Sequence, residues 1–403
     1  MQCGLLGRKL SHSYSPAIHA HLGDYDYSLF EKEPKELEAF LRRGEFDGIN
    51  VTIPYKKTVM PYLDATTDMA KKLGAVNTIV RQDGKLIGHN TDYFGFHSMV
   101  RKSGVSPAGK KCLVLGSGGA SNVVVAVLEE LGAAVTVISR SGENNYTNLA
   151  QHSDAALIVN ATPVGMYPDT GVSPVDLALF PNLKGVLDLI YNPARTKLLL
   201  DAQQRGLAAM NGLWMLVAQA KAAAQLFTGS EIPESKIAEV FATMKSQMEN
   251  VILIGMPGCG KSTVGRLVAE KWGKTFVDAD TEIEKMAKKT IPKIFSEDGE
   301  GAFRAMETRV LAHLSKQSNL VIATGGGCVT REENFPLLRQ NGKLFWLQRD
   351  WSKLPTEGRP LSQSQRLAEM YESRAPLYRH FADCIIDNNR EIEDTVNAIL
   401  EGF

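Results

Sequence analysis

The sequence predicts an α/β protein with parallel sheets, and three observations predict it. Residues 111–115 (KCLVL) lead into GSGGAS and then a helical stretch over 122–131. Residues 250–254 (NVILI) lead into GMPGCGKST and then a helical stretch over 264–271. Each unit starts with a short apolar run, meets glycines and continues at helical period, which is how a parallel α/β unit begins. Third, a chain of 403 residues predicts two to three domains at roughly 150 residues each.

The first hundred residues alternate as well. Strands are predicted over 4–7, 25–30, 48–52 and 78–81, and helices over 16–21, 36–44 and 56–62. Further strands follow over 134–138, 156–160 and 185–188. Residues 212–227 (GLWMLVAQAKAAAQLF) are apolar and alanine-rich, so they predict a buried helix. A loop over 228–235 precedes a short helix plus linker over 236–248. A boundary near Glu249 leaves 155 residues, one ordinary domain by size.

Hydrophobic residues make up 44% and charged residues 22%, which supplies real cores and excludes a disordered chain. No apolar run approaches the ~20 residues that span a bilayer. The N-terminus, MQCGLLGRKLSHSYSP, lacks the basic, apolar, small-residue order of a secretory signal. Forty-five Lys+Arg balance forty-five Asp+Glu, and a division after Met248 leaves 24 against 23 and 21 against 22. That balance gives no reason to expect nucleic acid or an anionic membrane as partner, and leaves small-molecule substrates. The five cysteines (Cys3, Cys112, Cys259, Cys328, Cys384) are odd in number and far apart, with no C-x-x-C. A disulfide framework or structural zinc site is disfavoured, and the expected location is the cytoplasm. Nothing in the sequence sets an oligomeric state.

The second glycine loop fits G-x-x-x-x-G-K-[ST] in full, from Gly255 to Thr263. Its glycines, Gly258 and Gly260 among them, let backbone N–H groups around Cys259 turn inward to cradle phosphate oxygens. Lys261 reaches the β- and γ-phosphates, and the Ser262 hydroxyl can ligate Mg²⁺. This half therefore binds a nucleoside triphosphate. Asp278 and Asp280 end the next predicted strand on one side of it. One can hold water on Mg²⁺ while the other orients an acceptor hydroxyl.

Behind the loop come D-x-D (Asp278, Asp280), F-R-x-x-E (Phe303, Arg304, Glu307) and Gly325-Gly326-Gly327. Then come R-P-L (Arg359, Pro360, Leu361) and R-x-P-x-Y (Arg374, Pro376, Tyr378). In that order the set resembles the shikimate kinase family over residues 249–403. The resemblance implies ATP and Mg²⁺ as ligands, with Lys261 and Asp280 catalytic. Asp280 would bind the shikimate hydroxyls and take the proton. Arg304 and Arg374 would pair with its carboxylate, which suits a bidentate fork. The Gly326–Gly327 backbone would lie against the substrate, and Arg359 would close on the phosphates from a lid. Asp278 would sit near Mg²⁺, and Arg390 falls where the family touches adenine. One departure is the short stretch over 350–358 (DWSKLPTEG), which has no second lid arginine, only Lys353.

The first glycine loop, Gly116-Ser117-Gly118-Gly119-Ala120-Ser121, matches G-x-G with Ser121 at the third glycine position. At the end of the following strand an NAD enzyme carries Asp or Glu for the ribose hydroxyls. Here Ser139-Arg140-Ser141 stands instead, and a cation with hydroxyls favours a 2′-phosphate, hence NADP(H). No second basic residue follows in SGENNYTNLAQ. Around the loop lie H-S-x-S-P (Ser13, Ser15), N-V-T-x-P-x-K (Thr52, Lys56), A-V-N-T (Asn77) and N-T-D-x-x-G (Asp92). N-A-T-P-x-G-M (Thr162, Met166), D-x-x-Y-N-P (Tyr191) and Gly212…Met215…Gln219 follow. A polyhydroxy acid needs such hydroxyls, amides, a cation and an acid.

This constellation resembles the shikimate dehydrogenase family over about residues 3–245. The resemblance implies that Lys56 and Asp92 are the catalytic pair. Ser13, Ser15, Thr52, Asn77, Asp92, Tyr191 and Gln219 would bind substrate. Gly116, Ser117, Gly118, Gly119, Ala120, Arg140, Thr162, Met166 and Gly212 would line the NADP side. Together the resemblances imply a two-subdomain dehydrogenase with a Rossmann-like NADP-binding subdomain, followed by a P-loop kinase domain with a parallel sheet. The substrate subdomain would comprise residues 1–100 plus about 211–246, the NADP subdomain 101–210 and the kinase 249–403. Consecutive steps of the shikimate pathway toward chorismate would meet in one chain. The alternatives are a related substrate such as quinate, another small hydroxylic acceptor for the kinase, or one catalytically weak half. The intact Lys56/Asp92 and Lys261/Ser262/Asp280 sets argue against the last.

Overall fold

The computed structural model describes residues 1–10, 13–354 and 364–403. They form two compact units. The first comprises Met1–Gly165, Val172–Tyr191 and Asp201–Lys245; the second comprises Met166–Gly171, Asn192–Leu200 and Ser246–Phe403.

The first unit opens with a mixed sheet. Its strands are β1 (Gln2–Gly7), β2 (Asp26–Glu31), β3 (Gly48–Val51), β4 (Ala65–Thr66), β5 (Thr78–Gln82) and β6 (Lys85–His89), in the order β2-β1-β3-β5-β6-β4. β1 pairs in parallel with β2 and β3, whereas β3–β5 and β5–β6 are antiparallel. The β5–β6 hairpin turns at Asp83-Gly84, both at positive φ (50° and 78°). Asp-Gly is the pair that tolerates this two-residue turn. Helices α1 (Ser15–His19), α2 (Leu37–Arg43), α3 (Asp68–Leu73) and α4 (Asp92–Ser103) intervene.

An all-parallel sheet follows: β7 (Lys111–Leu115), β8 (Ala134–Ile138), β9 (Leu157–Asn160), β10 (Gly185–Asp188) and β11 (Ala208–Met210), in the order β11-β10-β9-β7-β8. Helix α5 (Gly119–Glu130) connects β7 to β8, and α6 (Lys197–Gln204) precedes β11. Helix α7 (Leu213–Thr228) then packs against α4. Gly95 allows the approach, since a Cβ there would lie 2.7 Å from Met215 O. Trp214 Nε1 donates to Ser98 Oγ at 2.9 Å across the same contact. Helix α8 (Ser235–Met248) runs almost to the next strand.

The second unit holds five parallel strands: β12 (Asn250–Ile254), β13 (Thr275–Asp278), β14 (Leu320–Ala323), β15 (Gly342–Gln348) and β16 (Cys384–Asp387), in the order β13-β14-β12-β15-β16. Central β12 is buried throughout, and Ile252, Val321, Phe345 and Trp346 share its core. Its helices are α9 (Lys261–Trp272), α10 (Ala279–Ala287), α11 (Ile291–Glu297), α12 (Gly299–Leu314), α13 (Asn334–Arg339), α14 (Ser364–Phe381) and α15 (Ile392–Glu401).

Two expectations need correction. Residues 56–62 are not a helix but successive turns ending in a 3₁₀ turn at Met60–Tyr62. Tyr55 and Val59 are both buried, which imitates helical spacing. Pro54 and Pro61 remove two donors, and so short a stretch cannot repay helix nucleation. The stretch over 236–248, expected to be a short helix plus linker, is helical to its end.

A buried histidine in the core has a consequence for stability. His19 closes α1, is almost fully buried and stacks on Tyr27 at 4.0 Å. Its Nδ1 lies 2.6 Å from the Tyr25 hydroxyl. Burial drives its pKa down to about 3. In the unfolded chain it takes up a proton near pH 6.5, so between these values the unfolded state binds more protons. Stability is therefore lost as pH falls through that window, by up to about 1.4 kcal/mol per pH unit. Urea unfolding between pH 7 and 4 is expected to show a shallower acid loss in His19→Phe; an unchanged slope would refute this role.

Candidate active sites

The first cleft, about 760 Å³, lies in the first unit. It brings together Ser13, Ser15, Thr52, Lys56, Asn77, Asp92, Ala120, Tyr191, Gly212 and Gln219, all anticipated from the sequence. Lys56 Nζ donates to Asp92 Oδ2 at 2.7 Å. Asp92 is the first residue of α4, where the helix dipole favours a carboxylate. Lys56 stands in the turns after β3, so the pair joins the end of a strand to the start of a helix.

A buried polar network holds the amides. Asn77 Nδ2 donates to Thr91 Oγ1 at 3.0 Å, and Thr91 N donates to Asn77 Oδ1 at 2.7 Å. Gln219 Nε2 donates to Leu216 O at 2.8 Å. Asn50 was not anticipated as a site residue, yet it lines the cleft. Tyr27 Oη donates to its Oδ1 at 2.7 Å, and its Nδ2 donates to Thr78 Oγ1 at 3.1 Å. The signal was present as the first residue of N-V-T-x-P-x-K. Tyr191 meets Tyr14 edge-on at 6.1 Å, and burial raises its phenol pKa.

The dinucleotide loop joins β7 to α5. Gly116 has φ +101°, and a Cβ there would lie 2.9 Å from Thr162 Cγ2. Thr162 is held by Asn160 Oδ1, which accepts from its N at 3.0 Å and its Oγ1 at 2.7 Å. Nothing stands within 4 Å of where a Cβ would be on Gly118 or Gly119, so backbone at the α5 N-terminus is bare. Ser117 lies in the same loop between Gly116 and Gly118, and Arg140 is exposed two residues past β8. A bare helix N-terminus beside a cation fits a dinucleotide phosphate. Met166 is exposed and belongs to the second unit.

The second cleft, about 610 Å³, lies in the second unit. Gly258, Gly260, Lys261, Ser262, Thr263, Asp278, Asp280, Arg304, Gly326, Gly327 and Arg374 line it. Gly260 has φ +97° and caps α9. Lys261 Nζ donates to Gly255 O at 2.9 Å and Met256 O at 3.0 Å. Ser262 Oγ donates to Asp278 Oδ2 at 2.6 Å. A hydroxyl and a carboxylate meeting beside a phosphate loop are donors that fit Mg²⁺. Asp278 also caps α10, accepting from Asp280 N at 3.0 Å.

Asp280 is pushed above the usual carboxylate range by burial, then by Asp278. Glu307, fully buried, is raised by burial while Arg304 opposes the shift. Arg304 Nη1 donates to Glu307 Oε2 at 2.7 Å. Among the described residues Asp280 Oδ1 and Glu307 Oε1 are buried without a hydrogen-bond partner. Both face Gly325, where a Cβ would lie 2.9 and 2.5 Å from them. Glu307 closes the F-R-x-x-E motif, and its i,i+3 spacing to Arg304 is the sequence signal for their pairing. Gly327 is packed under the Arg304 guanidinium, and Arg374 Nη1 donates to Gly326 O at 3.2 Å.

Two anticipated residues are not among those that line the second cleft, and a third is not described. Arg359 lies outside the described residues. Cys259 is fully buried, so only its backbone serves the loop. Arg390 is largely exposed, 3.6 Å from Asp387 Oδ2.

Comparison with known proteins bears on both clefts. A family model described as Shikimate kinase matches residues 257–402, and one described as Shikimate dehydrogenase substrate binding domain matches residues 5–79. Shikimate dehydrogenase (NADP(+)) of Clostridium perfringens (strain 13 / Type A) is 36% identical over 265 residues, covering 60% of this chain and 97% of that protein. The protein of the same name from Symbiobacterium thermophilum is 40% identical over 263 residues, covering 57% of this chain and 90% of the relative. The crystal structure of shikimate 5-dehydrogenase from Thermus thermophilus in complex with NADP(H) and shikimate is 33% identical, with a TM-score of 0.56. It covers 60% of this chain and 99% of that one.

Lys56→Met is expected to slow the dehydrogenase by about 10²- to 10⁴-fold while ligand binding survives, as for loss of a general acid. A pH–rate profile that kept most of the original rate would sink the assignment. In the second cleft, a Cβ on Gly327 would lie 2.2 Å from Arg304 Nη2. Gly327→Ala must therefore displace that guanidinium. Its expected signature is a KM for the acceptor acid raised about tenfold, the loss of one charge-assisted contact, with the nucleotide KM unchanged. Equal KM values for the acceptor would mean that Arg304 does not touch it.

Proposed function

Because the chain belongs to the shikimate dehydrogenase family over its N-terminal 60% and carries a shikimate kinase domain behind it, we propose that it performs two consecutive reactions. Residues 1–246 reduce 3-dehydroshikimate to shikimate with NADPH. Residues 249–403 transfer the γ-phosphoryl group of ATP to shikimate, giving shikimate 3-phosphate. The observation that carries the reading is the presence, in one chain, of a Lys56–Asp92 pair at 2.7 Å and a phosphate-loop cleft holding Asp280 and Arg304.

In the first cleft Ser13, Ser15, Asn77 and Gln219 hold the acid and its hydroxyls. NADPH, when bound, supplies the hydride. Lys56 delivers a proton to the carbonyl oxygen, and Asp92 keeps its ammonium in place. Tyr191 and Gly212 bound the cleft where substrate and cofactor would meet.

In the second cleft Arg304 and Arg374 take the shikimate carboxylate, and the Gly326–Gly327 backbone limits its position. Ser262 and Asp278 would hold Mg²⁺, which neutralises charge on the phosphates. Asp280 takes the proton as the acceptor oxygen bonds to phosphorus and the bond to the β-phosphate breaks. A carboxylate raised by burial is a better base for this than an exposed one. Lys261 steadies the transferring group.

A single reaction tests the reading. The purified chain, given 3-dehydroshikimate, NADPH, ATP and Mg²⁺, is expected to yield shikimate 3-phosphate by mass. The Lys56→Met chain is expected to phosphorylate added shikimate at the original rate yet to form shikimate from 3-dehydroshikimate about 10²- to 10⁴-fold more slowly. An end point at shikimate would overturn the kinase assignment.

A further inference from the structure

A phosphate loop presents its N–H groups only while its carbonyls are turned away. Among the described residues, side chains hold three carbonyls of this loop. Lys261 Nζ holds Gly255 O and Met256 O at 2.9 and 3.0 Å. The third, Cys259 O, accepts from Nδ2 of Asn388, which stands just past the end of β16. Asn388 is buried and is not among the described residues lining the cleft.

The orientation of its amide is set from behind. Thr395, fully buried on α15, donates from Oγ1 to Asn388 Oδ1 at 2.8 Å. That oxygen is committed as an acceptor, so the NH₂ group must face Cys259 O. Asn388 N donates to Gln348 O at 2.8 Å, which fixes the backbone to β15. Asn388 Nδ2 also packs against the neighbouring glycine, 3.5 Å from where a Cβ on Gly260 would be, an ordinary van der Waals distance.

These holds differ in one respect. The ammonium of Lys261 is the group the motif aims at the β- and γ-phosphates. A bound nucleotide therefore competes for it against Gly255 O and Met256 O. The bond from Asn388 to Cys259 O meets no such competitor.

We propose that Asn388 is a positioning residue for phosphate transfer: it holds the Cys259 carbonyl outward, so that the N–H groups around Gly260 stay directed at the nucleotide phosphates, and Thr395 sets its orientation. The proposal rests on the reading of the second cleft as an ATP site.

The test uses the full chain, with Asn388→Ala, Asn388→Asp and Thr395→Val. KM is measured for MgATP and for shikimate, and Kd for MgADP by calorimetry. In N388A the MgATP KM and MgADP Kd are expected to rise about tenfold. The shikimate KM and the rate of dehydroshikimate reduction stay within about twofold, which shows an intact chain. N388D has the same size and still accepts from Thr395, but turns a second acceptor toward Cys259 O. Its nucleotide constants are expected to exceed those of N388A, an order that packing alone would not produce. T395V is expected to raise them less. Nucleotide constants in N388D equal to those of the unsubstituted chain would overturn the proposal, as would equal rises for both substrates in N388A. If the unsubstituted chain bound MgADP without phosphorylating shikimate, the functional reading would fail and Kd alone would decide for Asn388. Failure to bind MgADP would overturn both.

Discussion

Strand register is the constraint on which both clefts depend: parallel in the two five-stranded sheets, and mixed in the sheet where β3 and β5 run antiparallel. In a parallel sheet each strand must return by a crossover, so all carboxyl ends lie along one edge. In the second unit Leu253 and Asp278 both stand opposite Ala323. The phosphate loop, the D-x-D pair and the three glycines therefore leave the sheet side by side. In the first unit Leu115 stands opposite both Ile138 and Asn160. The dinucleotide loop, Arg140 and Thr162 follow from those three strand ends in the same way. Residues far apart in sequence become neighbours because hydrogen-bond register leaves them no alternative.

The two clefts use charge differently. Lys56 and Asp92 form a pair at a cleft wall that retains some access to solvent. Arg304 and Glu307 form a pair whose carboxylate is fully buried. Such burial contributes little net stability, because desolvation offsets the attraction, yet breaking one side costs about 3–5 kcal/mol. The arrangement holds a guanidinium in one place rather than strengthening the fold. Gly327 serves the same end, since only a residue without a side chain leaves the guanidinium room.

Much of this was legible in the sequence, and the misses have physical causes. The motifs were readable because phosphate binding demands glycine backbone and a specific cation, which leaves a local pattern. Residues 56–62 misled because burial of Tyr55 and Val59 at an interval of four is shared by a helix and by consecutive turns. Strand β6 escaped notice although Asp83-Gly84 carries a hairpin signal, since its alternation is interrupted by Gly88. Helix α4 has no counterpart among the predicted elements, because Gly95 in its first turn weakens the local helical signal. Asn50 and Glu307 were visible in their motifs, but their partners Tyr27 and Arg304 show their use only in three dimensions.

By itself, the sequence determined the fold class, the two nucleotide loops, their order and the chemical types in each cleft. Those properties are local: a few consecutive residues set backbone freedom, charge and hydrophobic period. Tertiary structure decided which side chains meet. It put Lys56 against Asp92, Ser262 against Asp278, and Asn388 against the carbonyl of Cys259. These contacts join residues 16 to 129 positions apart. Their geometry depends on sheet register and helix packing, which sum small interactions over the whole unit and leave no local trace.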